Sequence, residues 1–257
     1  MATTKITSPD LFDLGSLNTA LQLPSGTTAE RPASPSTGEW RYNTDNNLIE
    51  FYDGAAWRDL QSEEIPPIPS ENFNTVLWTG NGTGQSITGV GFAPDFVWLK
   101  ARNLNNYGHR IFDTSRGALK KISPSSTGAE STDAGSLTSF DSDGFTLGND
   151  NYVNNNGDFF VGWTMKANGG ITSSNTDGTI TSTVQANQAA GFSIVEYTAD
   201  GTNNTTIGHG LGAAPEFILI KKLTSTGDWI THHQAVGTGN FLYLNRDDAQ
   251  LTQAGIR

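Results

Sequence analysis

The sequence contains one internal repeat, which constrains the possible fold more than any other feature. The segment FNTVLWTGNGTG at residues 73–84 returns as FSIVEYTADGTN at 192–203, which is 119 residues later. VGFAPDFVWLK at 90–100 returns as GLGAAPEFILIK at 210–221, with its proline shifted by 121 residues. Aromatic, glycine and proline positions keep their order in both copies. The sequence therefore predicts one structural module built twice.

Two further pairs of segments extend this repeat. HRIFDTSRG at 109–117 aligns with WITHHQAVG at 229–237, and LKKIS at 119–123 aligns with FLYLN at 241–245. We expect equivalent segments to form equivalent strands, because a slip of one residue in register would turn every core side chain outward.

The first copy is longer than the second. Its segment from Ser125 to Asn168 has almost no counterpart before Arg257, and this segment amounts to several strands of ordinary length. We therefore expect the second module to be incomplete in this sequence. Either the natural polypeptide continues past Arg257 or a neighbouring chain supplies the missing strands.

The apolar runs in each copy have the length of strands and lie between Gly, Asn and Asp turns. Residues 158–166 alternate with a period of two, which is typical of a half-buried strand, although Phe160 breaks the pattern. The side chains predicted to share one face are Phe159, Val161, Trp163 and Met165. Many short strands without an amphipathic helix favour an antiparallel β-sandwich of jelly-roll-like type.

The whole chain is predicted to be all-β, with an extended N-terminal arm and a small β-hairpin adaptor followed by tandem sandwich modules. The predicted segments are an arm (1–25), an adaptor (26–62), a proline-rich linker (63–71), module 1 (72–168), a second linker (169–190) and an apparently incomplete module 2 (191–257). Residues 171–189 of the second linker are polar enough to form an edge strand instead.

The adaptor contains three aromatic-rich runs, at 40–42, 48–52 and 57–60, separated by turn residues. Three strands are a marginal fold in water, so oligomerisation or docking is expected to complete their core. The arm begins a short helix at Ser8-Pro9-Asp10. Its apolar side chains are too few to build a core of their own and are expected to dock on another protein, and the alternative is a frayed terminus. They are Leu11, Phe12, Leu14, Leu17 and Leu21.

The charge balance disfavours two classes of partner. A net charge of −11 argues against nucleic acid or an anionic membrane surface, because a phosphate-binding protein needs clustered Lys and Arg. No apolar run approaches the roughly 18–20 residues of a membrane-spanning helix, so no membrane insertion is expected.

The chain has no cysteine, which excludes disulfides and thiolate metal sites.

The sequence offers weak candidates for chemistry. GNGTG at 80–84 and GHGLG at 208–212 resemble dinucleotide loops but lack the helix that would bind a pyrophosphate, so they are interpreted as turns. Asp141, Asp143, Asp150 and Asp158 lie in Gly- and Asn-rich turns and are weak candidates for a Ca²⁺ site. Capping of the turns by their carboxylates is the alternative. No catalytic residue and no cofactor are predicted.

Histidines and aromatic residues complete the set of candidates. His232 and His233 are adjacent, so on a strand they point to opposite faces and cannot share a metal. His109 and His209 are interpreted as hydrogen-bonding or packing residues. Aromatic side chains could include a platform on which a sugar stacks, although most lie on predicted core faces. The candidates are Trp40, Tyr52, Trp57, Trp78, Trp98 and Trp163.

Several segments of the sequence resemble proteins of bacteriophage particles. LPSGTTAERPASPSTGEWRYNTDNNLIEFYDGAAWRDL is similar to a segment of many phage tail fibre proteins. The repeat resembles a module of phage, particularly cyanophage, structural proteins through VGFAPDFVWLKAR, SLTSFDSDGFTLG, NNNGDFFVGWTMKANGG and GHGLGAAPEFILIK. That family usually carries a cysteine and a second tryptophan where Thr164 and Met165 stand, so the core filling differs here.

The resemblance implies a non-enzymatic virion structural protein, the attached N-terminal part of a tail fibre involved in host attachment. It implies a homotrimer localised to the virion, whose arm binds other tail or capsid proteins. It transfers no catalytic residue. The alternatives are a lectin-like module that binds a host surface glycan, a capsid or baseplate decoration protein, and, third, an enzyme with paired carboxylates in a groove.

Overall fold

The structure is a computed structural model that describes residues 23–60 and 71–252. The chain divides into two compact units, residues 1–65 and 66–257, and the dividing point lies within the predicted proline-rich linker. About 40% of the residues are in strands and 5% in helices, so the predicted all-β class is confirmed.

Within residues 23–60, four strands form one sheet in the order β1-β2-β3-β4. The pair β1–β2 is parallel, and the other two pairs are antiparallel. The three predicted strands correspond to β2, β3 and β4, and the turn before β4 contains Gly54 at a φ of 99°. The strands are β1 (Ser25–Gly26), β2 (Trp40–Asn43), β3 (Leu48–Tyr52) and β4 (Trp57–Asp59).

The centre of this sheet is charged rather than apolar. Glu50, on β3, has a fully buried side chain and forms ion pairs with Arg31 and Arg41. Its Oε2 also accepts a hydrogen bond from the amide of Asn43 at 3.1 Å. The hydrogen bond from Arg31 is the main cause that holds the pKa of Glu50 below its ordinary value. Arginines on either side therefore fix the carboxylate in its ionised form.

The first copy of the repeat forms two facing sheets. One has the strand order β5-β13-β7-β8 and the other has the order β11-β12-β6, while β9 and β10 form a separate short pair. The elements are β5 (Phe73–Thr79), β6 (Gln85–Thr88), β7 (Phe96–Ala101), β8 (Arg110–Asp113), β9 (Lys120–Lys121), β10 (Ser131–Thr132), β11 (Leu137–Asp141), β12 (Gly144–Leu147), α1 (Asn151–Asn154) and β13 (Phe159–Met165). The side chains fully buried between the sheets include Leu99, Phe112, Leu137, Phe145 and Phe160.

Strand β13 is the centre of the larger sheet, because it pairs antiparallel with both β5 and β7. The predicted core face of this strand is wrong. Phe160, Gly162 and Thr164 point into the core, whereas Phe159 is 50% exposed. A Cβ atom on Gly162 would lie 3.2 Å from both Leu99 and Trp78. The glycine makes room for large side chains from neighbouring strands, so the buried face of β13 carries only one large apolar residue of its own, Phe160.

The segment 169–190, for which polar composition allows either a linker or an edge strand, contains strands. It contains β14 (Ser173–Asn175) and β15 (Ser182–Asn187), and β15 pairs antiparallel with β16 (Phe192–Tyr197). Gln185, on β15, is fully buried. Its Oε1 accepts hydrogen bonds from two backbone amides between residues 168 and 170, and its amide donates to Thr114 and Ser115. A polar side chain therefore binds this segment to the first copy.

Five strands of the second copy, β16 to β20, correspond to β5, β7, β8, β9 and β10 of the first. Its remaining strands form a sheet in the order β17-β18-β19-β20. The pair of Phe217 with His233 on β17 and β18 is equivalent to the pair of Phe96 with Asp113 on β7 and β8, residue for residue. These strands are β17 (Phe217–Ile220), β18 (Ile230–His233), β19 (Asn240–Tyr243) and β20 (Leu251–Thr252).

The strand pairing corrects one part of the predicted alignment. Lys121 pairs with Ser131 on β9 and β10, and Phe241 pairs with Leu251 on β19 and β20, so this region repeats after 120 residues. The alignment of LKKIS with FLYLN was two residues out of register. Backbone geometry agrees with the corrected offset, since Leu119 at φ 69° corresponds to Gly239 at φ 80°. Both copies have a left-handed backbone at this position, although the residue type differs.

Candidate functional site

The predicted docking residues of the arm, Leu11, Phe12, Leu14, Leu17 and Leu21, lie outside the described residues. Within the described part of the chain, no helix has the length and apolar character needed to cross a bilayer.

The four candidate calcium ligands each accept hydrogen bonds from other groups of the first copy. Asp141 accepts hydrogen bonds from two hydroxyls of the β11–β12 hairpin, at 2.8 and 2.7 Å. Asp143 accepts from two backbone amides between β6 and β7, and these two bonds lower its pKa. Asp150 caps helix α1, and Asp158 accepts from two asparagine side chains. The structure does not bring the four carboxylates to one point, and residues 23–60 and 71–252 contain no group of three or more metal-binding side chains.

All four histidines form hydrogen bonds. The Nδ1 atoms of His209 and His233 accept from backbone amides two residues further on, and that of His232 lies 2.9 Å from the carbonyl oxygen of Asn240. His109 accepts a hydrogen bond from the indole of Trp98 at 2.8 Å. Burial, with a smaller contribution from Lys100, lowers the pKa of His109, so this ring is neutral near pH 7.

The aromatic candidates divide between core and surface. Trp78 is buried and stacks on Phe160 at 5.6 Å, and Trp98 and Trp163 pack edge to face at 6.1 Å. Trp40 is 47% exposed. Its ring stacks on Phe51 at 5.6 Å, and Tyr52 packs against Trp57 at 5.7 Å in the same sheet.

A polar groove that sequence reasoning missed crosses the surface of the first copy. Its volume is about 380 Å³, and several serines line it, including Ser123 and Ser125. The guanidinium of Arg110 lies 3.9 Å from the ring centroid of Tyr152, which in turn packs on Tyr107 at 5.0 Å. Arg110 and Tyr152 are 42 residues apart in the sequence, so no local motif indicates their contact.

The two cations of this groove differ in their partners. Lys121 forms an ion pair with Asp133. Arg110 is only 9% exposed and donates to the carbonyl of His109 at 3.1 Å, with no ion pair among the described residues. Burial raises the pKa of Asp133, but the Lys121 ammonium and a backbone amide lower it by more. The accessible groups are a set of hydroxyls and the part of the Tyr152 ring that Arg110 and Tyr107 leave uncovered, since this side chain is 36% exposed. The groove therefore fits a hydroxyl-rich ligand.

The contact between the two copies is built around Trp229. This side chain is 3% exposed and lies in one cluster with Ile111 and Ile122 of the first copy. Its Nε1 donates a hydrogen bond to the carbonyl of Ser123 at 2.9 Å. In the repeat Trp229 corresponds to His109, so the second copy uses this position to bind the first rather than to repeat its contacts.

Backbone hydrogen bonds extend the contact between the copies. The amide of Glu130 donates to the carbonyl of Leu223, and the amide of Gly227 donates to that of Thr127, both at 2.9 Å. The ammonium of Lys221 also donates to the Thr127 carbonyl at 3.1 Å. Loops from both copies thus share donors and acceptors, which joins the two modules into one unit.

Equivalent side chains differ in burial between the copies. Trp78 on β5 is 9% exposed, whereas its equivalent Tyr197 on β16 is 39% exposed. Leu99 on β7 is fully buried, whereas its equivalent Ile220 on β17 is 37% exposed. In the first copy β13 lies between β5 and β7. Among the described residues, no strand lies between β16 and β17.

Searches of curated proteins and of solved structures found no significant match to the chain. Residues 68–257 match a family described as a domain of unknown function, DUF7483. The matched range contains the described strands of both copies and well over half of the 257 residues. The chain therefore belongs to the family of this domain of unknown function, DUF7483.

Proposed function

We propose that this chain is a non-enzymatic structural protein of a bacteriophage particle, the attached N-terminal part of a tail fibre. The sequence resemblance motivates this proposal. The structural observation that carries it is the contact between the copies, in which the indole of Trp229 is buried against the first copy. Repeated β modules that bind each other through side chains and backbone suit a part that projects and bears load.

The carboxylates and one cation of the first copy serve structural contacts. In the described residues, the four candidate carboxylates cap separate turns, and Lys121 of the groove is paired with Asp133.

Virion association can be measured on particles of the phage that encodes the chain. Gradient-purified virions are digested and analysed by mass spectrometry, with host lysate as the control. The proposal predicts peptides from residues 71–252 at a constant ratio to the major tail protein. Peptides found in lysate but missing from purified virions would contradict it.

A lectin-like role is the second candidate, and the groove beside Tyr152 is the observation that favours it. An aromatic ring beside hydroxyl groups can stack on the apolar face of a sugar. The test is a glycan array with the whole protein and with Tyr152→Ala, using Trp40→Ala as the matched control. Reproducible binding that Tyr152→Ala abolishes and Trp40→Ala preserves would establish the lectin role. Absence of binding would favour the scaffold.

A further inference from the structure

The polar groove of the first copy contains a buried guanidinium that has no counter-charge. Arg110, on β8, is 9% exposed, and its Nε is buried without a hydrogen-bond partner. Its Nη1 donates to the carbonyl oxygen of His109 at 3.1 Å and to the hydroxyl of Ser123 at 3.5 Å. Its Nη2 forms no hydrogen bond within residues 23–60 and 71–252. The positive charge of Arg110 is therefore left without an anionic partner in the described part of the chain.

A buried charge needs compensation, because an ion that leaves water loses hydration that only an opposite charge or several hydrogen bonds can replace. The guanidinium lies 3.9 Å from the ring centroid of Tyr152, which offsets part of this loss. Asp133 senses the charge of Arg110, which contributes to the lowering of its pKa, but its ion pair is with Lys121. The chain has 26 acidic side chains, yet no described one pairs with Arg110. A bound anion would complete this site.

The walls of the groove combine positive charge with hydroxyl groups. Two of the lining residues are the cations Arg110 and Lys121, four are serines, and none is Asp or Glu. The hydroxyl oxygens of Ser123 and Ser125 lie 3.1 Å apart. The volume of about 380 Å³ falls within the range of roughly 300–1,000 Å³ that is typical of small-molecule sites. The groove therefore offers one anion-binding group beside several hydrogen-bonding partners for a polyol.

Gly108 keeps the space beside the guanidinium open. A Cβ atom at this position would lie 2.8 Å from the hydroxyl oxygen of Ser125 and 3.6 Å from Nη1 of Arg110. A larger residue here would therefore occupy the part of the groove that borders the guanidinium. The space that the glycine leaves is where the anionic group of a ligand fits.

We infer that this groove binds an acidic saccharide, whose carboxylate pairs with Arg110 and whose hydroxyl groups bind to the serines. A planar guanidinium is well matched to a carboxylate. The apolar face of the sugar packs on the uncovered part of the Tyr152 ring, which is 36% exposed. A small inorganic anion would leave this ring and the hydroxyl groups unused. The inference rests on the lectin-like candidate function and adds to it the charge of the ligand.

The probe is sodium D-glucuronate, and D-glucose is the matched neutral sugar, since it carries a CH₂OH group in place of the carboxylate. Each is titrated into the full chain by isothermal titration calorimetry, and hydrogen exchange locates the contact. We expect saturable binding of glucuronate with slowed exchange in residues 106–110 and 121–131. Glucose should bind at least roughly tenfold more weakly, and so should inorganic phosphate, which is an anion without a sugar ring.

Variants of the protein test the role of the guanidinium. Arg110→Gln removes the charge and should weaken glucuronate binding at least roughly tenfold. Arg102→Gln is the matched control, because Arg102 is an exposed residue of the first copy that does not line the groove. Gly108→Leu fills the space beside Arg110 and keeps the charge, so it should also weaken binding at least roughly tenfold. This second variant tests the site even if Arg110→Gln fails to fold.

Three results would overturn the inference. The first is no saturable binding of glucuronate at high millimolar concentration. The second is equal binding of glucose and glucuronate, or unchanged glucuronate binding by folded Arg110→Gln, which would preserve a lectin role and refute the acidic ligand. The third is phosphate binding as tight as that of glucuronate, which would show a general anion site. Virion association is measured separately on purified particles, so its failure is distinguishable from all three.

Discussion

Replacing Trp229 with alanine tests whether the second copy is held in place by the first. The substitution removes a side chain that is 3% exposed and lies against Ile111 and Ile122. It also removes the donor to the Ser123 carbonyl, which leaves that acceptor without its 2.9 Å partner. Both losses fall at the contact between the copies.

The expected loss of stability follows from the burial of the Trp229 side chain. Truncation of a buried tryptophan to alanine costs about 3–5 kcal/mol, because transfer free energy and packing are lost together. Trp229→Phe keeps most of the ring and loses the N–H group, so it should cost about 1–3 kcal/mol, the penalty of an unpaired acceptor. Few other hydrophobic side chains of the described second copy are as buried; Phe241 is one. The lost free energy should therefore appear as faster hydrogen exchange in the second copy.

The assay combines two measurements. Urea unfolding followed by far-UV circular dichroism gives the change in the free energy of unfolding, and hydrogen exchange locates it. We expect faster exchange in β17, β18 and β19, with β5, β7 and β13 unchanged. Leu77→Ala is the control, and as a surface change it should stay within about 0.5 kcal/mol. If Trp229→Ala also stays within about 0.5 kcal/mol, or if exchange rises equally in both copies, the reasoning is refuted.

Three further predictions concern the charged sheet, a close backbone approach and assembly. Arg31 holds the pKa of the Glu50 carboxyl below its ordinary value of 4.5. The ionised carboxyl therefore stabilises the folded sheet fully above pH 4.5, and this stabilisation is lost as the pH falls through the lower pKa of the folded state. Amides of β2–β4 should thus exchange faster on acidification below pH 4.5, and Glu50→Gln should remove that dependence. Gly144→Ala should destabilise the protein by at least about 3 kcal/mol in urea, because the new Cβ would lie 1.9 Å from the Ile87 carbonyl. Gly84→Ala, whose Cβ would have 3.9 Å of clearance, should be tolerated. Light scattering of the full chain should give a mass about three times 27.5 kDa, and a monomer would contradict the proposed trimer.

Much of the fold could be predicted because several strands occur twice in the repeat and the turn residues mark the others. Turn residues between short aromatic runs were sufficient to place β2, β3 and β4. The equivalence of β7 with β17 followed from the shared proline and the aromatic residue after it. These signals are local, so a single sequence contains them.

The errors arose where a contact over a long distance decides burial. Phe160 of β13 faces the core, because Gly162 on the same face leaves room for side chains from β5 and β7. The sequence periodicity of β13 alone does not indicate this. Gln185 has a side chain typical of a linker, yet it is buried, because it donates hydrogen bonds to Thr114 and Ser115. These partners lie about 70 residues earlier, so the local sequence does not indicate the contact. The groove at Arg110 has the same origin, since its aromatic partner lies on α1.

The measurement that tests the proposed function most directly is the location of the chain on an intact virion. Antibody fragments against the described region of the second unit are bound to purified particles, and their positions are determined by electron cryotomography. The account predicts label on the tail fibres, close to their attachment point. Label on the capsid or baseplate, or no label on particles that retain their fibres, would contradict it.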